Sequence, residues 1–149
     1  MKKIILILFF SLSTSLFSQE ERKLIVETPP TYPGCNFKYP KKFDSIKYSN
    51  INEKKRRCMS EKMTKFIGKE FNTSIARESN VFGRVRISVA FKIDTLGRVV
   101  GVRALARNKK LEKEAIRVVK MLPIIKPGIK DGQKVVVPYS LPIIFKIEL

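Results

Sequence analysis

The chain has 149 residues, of which 31 are Lys or Arg, 13 are Asp or Glu and none is His, for a formal net charge of +18. That length holds one small domain plus attachments and excludes two full-sized ones. With no imidazole and only two cysteines, and no pair of acids at a spacing that suggests shared chemistry, the composition disfavours an enzyme.

Residues 1–18 begin with Lys2 and Lys3, continue through an apolar run at 4–10 and end in a Ser-rich stretch. This is the order of a secretory signal peptide, and its apolar part is shorter than the ~20 residues that span a bilayer. Cleavage is expected near Ser18 or Gln19, which makes the protein exported and periplasmic; left uncleaved, the stretch would anchor it in the inner membrane. No Cys follows closely enough to be a lipoprotein attachment site. Removing residues 1–18 takes away two lysines and no acid, which leaves a net charge of +16. Such a charge favours solubility and attraction to anionic surfaces, so a solvated basic face is expected first and an anionic membrane surface or an acidic partner next. An exported protein rarely meets nucleic acid, and none is expected as a partner.

Export also makes Cys35 and Cys58 a disulfide candidate. The alternative, a redox or metal pair, is weakened by a spacing that is not CxxC and by the lack of any His to complete a zinc set. No cofactor is expected. Before Cys35, the short run Leu24, Ile25, Val26 reads as a brief strand, and Pro29, Pro30 and Pro33 make residues 28–34 an extended, turn-rich lead-in. Residues 36–57 are Lys-rich and lack sustained periodicity, so they are expected to form a surface loop pinned at both ends. From about Asn52 the pattern turns helical, with Met59, Met63, Phe66, Ile67 and Phe71 on one face. Asn72, Thr73 and Ser74 then stand where they can cap a short segment around Ile75 and Ala76.

In residues 83–94, Val85, Ile87, Val89, Phe91 and Ile93 alternate with polar or small residues, the two-residue period of a half-buried strand. A turn at Asp94, Thr95, Leu96 and Gly97 follows, with Gly97 able to take positive φ. The return strand carries Val99, Val102, Ala104 and Ala106, and its change of phase predicts a bulge near Gly101. Asn108 stands at an N-cap position before Leu111, Ala115, Val118, Val119 and Leu122, an amphipathic helix stopped by Pro123. Pro127, Gly128, Asp131 and Gly132 mark a loop. The last strand again alternates, with Val137, Tyr139, Leu141, Ile143, Phe145, Ile147 and Leu149 facing one way.

The run GRVRISVAFKIDTLGRVVGVRA, then LEKEAIRVVKMLP, then KPGIKDGQKVVVPYSLPIIFKI, resembles the C-terminal domain of TonB, the periplasmic energy transducer of outer-membrane transport, over about residues 60–149. The upstream YPGC with a second Cys resembles the version of the family that carries a cysteine pair. Two departures fall in loops: Thr73 and Ser74 replace a frequent Tyr-Pro, and an aromatic before the Pro-Gly is replaced within Ile124, Ile125 and Lys126. The elements read as an α+β fold, a small antiparallel sheet of three main strands packed against two helices. The crossover helix returns the chain to where the second strand began, so the third strand runs antiparallel to the first and can pair with it, in the order second-first-third. The organisation expected is signal peptide 1–18, an extended and disulfide-pinned segment 19–58, and a TonB C-terminal-like domain 59–149.

What the resemblance implies functionally is recognition of a peptide of an outer-membrane receptor, or of another envelope protein, by strand addition, linked to TonB-dependent transport. In that strand order the last strand is an edge. Pro138 and Pro142 share parity, so their missing N–H groups point away from the first strand. Outward donors then remain at Ser140, Ile144, Lys146 and Glu148, and docking is expected at the Ile144 to Glu148 end. Residues 19–34 extend over at most about 55 Å at ~3.3–3.6 Å per residue, too little for a long spacer, so a soluble adaptor is expected instead of a full transducer. The alternative function is a cationic envelope protein that binds anionic surfaces with the TonB-like fold as scaffold.

Overall fold

The computed structural model describes residues 28–42 and 44–148. The expected signal peptide, the 24–26 strand and Leu149 lie outside the described residues.

The first element is helix α1, Ser45–Glu70. It starts earlier than periodicity suggests, because Asp44 caps it by accepting a hydrogen bond from the Lys47 N–H at 3.1 Å. The loop expected over residues 36–57 is therefore corrected: Cys58 sits within the helix. The first turns carry no periodic signal because they bury no apolar stripe; the Tyr39 ring stacks on Tyr48 and lies under the Lys55 ammonium instead. Further along, Met59, Met63 and Ile67, each four residues apart, are buried as expected. The disulfide Cys35–Cys58 ties the lead-in segment to this helix.

Short helix α2, Ser74–Glu78, follows, with the Asn72 side chain accepting the Ser74 N–H at 3.1 Å. Strand β1, Gly83–Ile93, buries its five alternating apolar residues. Strand β2, Val99–Leu105, pairs antiparallel to it, and the register slips between Ala90 and Lys92, so Gly101 and Val102 oppose Phe91: the expected bulge. Helix α3, Lys109–Lys120, is capped by Asn108, whose side chain accepts the Lys110 N–H at 2.7 Å.

The loop expected around Asp131 and Gly132 is instead a two-stranded hairpin of β3, Gly128–Lys130, and β4, Gln133–Val135. Asp131 and Gly132 both have positive φ, as a tight two-residue turn with the twist of its strands requires. Strand β5, Val137–Ile147, closes the main sheet in the order β2-β1-β5. The lead-in segment joins the fold through backbone hydrogen bonds: Thr28 with Ile129 and Thr31 with Lys126, all near 3.0 Å.

One core lies between the sheet and the helices. It combines Ile87, Val89 and Phe91 of β1, Leu141 and Ile143 of β5, Met63 of α1, Val118 and Val119 of α3, and also Tyr32 and Cys35 of the lead-in. The helices cover only one face of the sheet, because the alternate residues of β1 and β5 are exposed on the other. Val137, Tyr139 and Phe145 share the core side of β5 but are only half-buried.

Candidate functional site

β5 is an edge, and its pairing with β1 decides which of its backbone groups are free. Pro138 stands opposite Lys92 and Pro142 opposite Ser88. Neither proline can donate, so the even-numbered pairs must be those that exchange no hydrogen bonds. The odd residues then hold β1, and Ser140, Ile144 and Lys146 turn both N–H and C=O outward. Ile144 is 46% exposed. Glu148 lies one residue past the end of the strand and pairs with Lys146 at 3.3 Å, a surface ion pair that contributes little. Three of the four predicted edge residues, Ser140, Ile144 and Lys146, therefore lie along one side of β5, with the prolines interrupting its first half and leaving its second half continuous; Glu148 falls beyond it.

A feature that sequence reasoning missed lies beside that second half. An apolar groove of about 90 Å³ runs between Thr64, Ile67 and Gly68 of α1 and Leu141, Ile143 and Phe145 of β5. A side chain on Gly68 would meet nothing within 4 Å, so the helix leaves room there. An isolated Gly inside a helical pattern was the available signal. The groove's walls are fixed from both sides: the Ser60 and Tyr139 hydroxyls hydrogen-bond at 2.8 Å, and the Phe71 and Phe145 rings pack with centroids 5.2 Å apart.

The turn between α1 and α2 is held by Glu114 of α3, which accepts the Asn72 N–H at 2.9 Å and is gripped by the Arg117 guanidinium at 2.6 and 2.8 Å. Arg117 also donates to the Glu70 carbonyl at the end of α1. The Arg117 hydrogen bonds, helped by the Asn72 N–H and opposed by burial, hold the Glu114 carboxyl below the usual range. A carboxylate lowered on folding stabilises the fold above its unfolded value, about 4.3, and that contribution is lost as pH falls through the folded value. Glu114→Ala is expected to cost about 1–3 kcal/mol at pH 7, as for a buried group whose hydrogen bonds are removed. Urea titrations should show the gap to wild type narrowing below about pH 4, and a gap independent of pH would refute the ionic account.

Among the described residues, no helix is long and apolar enough to cross a membrane. No curated protein matches the chain. The family model described as Gram-negative bacterial TonB protein C-terminal matches residues 74–147, from α2 to the last residue of β5, and leaves α1 and the disulfide outside. Strand order and matched span agree with the expected arrangement, and residues 74–147 carry a TonB C-terminal domain.

Proposed function

We propose that the chain is a periplasmic TonB-like binding module that takes an extended peptide of an outer-membrane receptor, or of another envelope partner, onto the outer edge of β5, and that it serves TonB-dependent transport without catalysing a reaction. The observation that carries this reading is the pairing of an open backbone edge with an apolar groove. An added strand would hydrogen-bond to the outward groups of Ile144 and Lys146 and drop its core-side residues beside Leu141, Ile143 and Phe145. Backbone bonds would give affinity, and the groove would choose side chains.

Ile144→Pro tests it. Proline is already accommodated at the same parity at 138 and 142, so the inner ladder and the fold should persist while one outward donor disappears. Calorimetric titration of a synthetic receptor-box peptide is expected to show binding to wild type and none to the variant, with circular dichroism confirming that the variant is folded. Unchanged affinity in a folded variant would move the site off this edge, most directly to the outer edge of β2. Salt separates this reading from simple attraction to anionic surfaces, which is screened over about 8 Å at physiological ionic strength.

A further inference from the structure

The uncovered face of the sheet is strongly one-sided in charge. Its positions on the three strands include Arg84, Arg86, Lys92, Arg103 and Lys146 and no acid. Among the described residues, neither Arg86 nor Arg103 has an acidic partner. Between these two lies a recess of about 330 Å³. Its floor is made by small side chains, Ser88 and Ala90 of β1 and Ser140 of β5, and Leu105, 72% exposed, rises at one side with Pro142 at the other.

The register gives this recess a length. Leu105, Ser88 and Pro142 form one cross-strand row, and Arg103, Ala90 and Ser140 form the next. Arg86 stands one row to the other side of Ser88. The two arginines are therefore two rows apart, about 13 Å along the strands at ~3.3 Å per residue, with an apolar-walled row between. In an extended segment, side chains four residues apart point the same way at the same spacing, and the one midway falls over the middle row.

We propose that this face is a second docking site, separate from the β5 edge, for an extended acidic segment of a protein partner: carboxylates four residues apart meet Arg86 and Arg103, and an aliphatic side chain midway rests between Leu105 and Pro142. Guanidinium suits this role because it pairs bidentately with carboxylate and is weakly hydrated. A second copy of the chain would bring an equally basic face and be repelled. A flat bilayer would meet Leu105 and leave the floor of the recess uncontacted.

The test uses the full chain and two fluorescein-labelled peptides of identical composition, one with acids four apart and a leucine midway, the other with its acids adjacent. By anisotropy, the spaced peptide is expected to bind at least about tenfold more tightly than its isomer. Arg86→Gln and Arg103→Gln should each remove about tenfold, whereas the double change Lys110→Gln and Lys113→Gln, on the exposed side of α3, should remove little. Arg103→Glu should recover binding of a peptide whose matching acid is replaced by lysine. Equal binding of the two isomers, or an equal loss from the α3 double change, would overturn the proposal in favour of diffuse charge attraction. Vesicles containing anionic phospholipid provide the remaining arm: if Arg86→Gln and Arg103→Gln weaken vesicle binding while the spaced peptide binds no better than its isomer, the face is a membrane contact and the proposal fails.

Discussion

Gly97→Ala is expected to abolish or nearly abolish stable folding, a far larger effect than a surface turn substitution normally has. The turn between β1 and β2 is closed by hydrogen bonds from Gly97 N–H to the Asp94 carbonyl and from Asp94 N–H to the Arg98 carbonyl, both at 3.0 Å. The Asp94 carboxylate accepts the N–H groups of Leu96 and Arg98 at 2.9 Å and the Arg98 side chain at 2.8 Å. Gly97 sits at φ +82°, which costs an L-residue roughly 1–2 kcal/mol. The larger obstacle is space: a Cβ there would lie 1.8 Å from the Ile125 carbonyl oxygen. Ile125 is fully buried and donates its N–H to the Gly97 carbonyl at 2.9 Å, so the clash is between two backbones that are themselves bonded together. Neither can retreat without opening the core. Gly132→Ala separates the two causes, because Gly132 has φ +73° but nothing within 4 Å of its would-be Cβ. Urea denaturation should show about 1–2 kcal/mol lost at Gly132 and more than about 4 kcal/mol at Gly97. Similar losses at both sites would mean that the turn swings clear of Ile125.

That close approach also marks the limit of what the chain reveals before folding. Positive φ at Gly97 is legible, since a turn residue between two alternating strands has few other options, but the carbonyl that will lie against it belongs to a residue 28 positions later. Strands β1 and β5, the bulge at Gly101 and the Asn108 cap were legible for the same local reason: period and turn chemistry are properties of neighbouring residues. The sheet order followed from the crossover helix. Local signals failed wherever the partner is remote. The start of α1 buries no stripe, and its Tyr39 contact comes from outside the helix. The β3–β4 hairpin is too short for alternation to register, and residues 28–31, read as a proline-broken lead-in, are held by residues 126–129. At the candidate edge, proline parity alone selected Ile144 and Lys146. The groove beside them needed α1 in place, and nothing in the periodicity of either element shows that Gly68 would face β5.

The second large effect is expected at Phe91. Alternation alone ranks Phe91 and Phe145 as equivalent core aromatics, each costing about 3–5 kcal/mol on truncation to alanine. The structure separates them. Phe91 is 3% exposed at the centre of the sheet, opposite Tyr139 of β5 and opposite the bulged Gly101 and Val102 of β2. Its ring lies 5.5 Å from that of Tyr139, whose hydroxyl is bonded to Ser60 of α1. Truncation would open a cavity between the helices and a sheet whose three strands are fixed by their ladders and cannot close over it, and would also loosen the support of the strand-to-α1 contact. Phe145 is half-buried near the end of β5, and its removal exposes Phe71 to water while leaving no enclosed void. The expected losses are therefore about 3–5 kcal/mol for Phe91→Ala and no more than about 2 kcal/mol for Phe145→Ala. Phe91→Leu, which keeps most of the volume, should cost about 1.5 kcal/mol or less. Equilibrium urea unfolding of the three variants decides the matter. A loss below about 1 kcal/mol at Phe91 would mean that β1 does not present this side chain to the core, and equal losses at Phe91 and Phe145 would mean that the end of β5 is covered as fully as its centre.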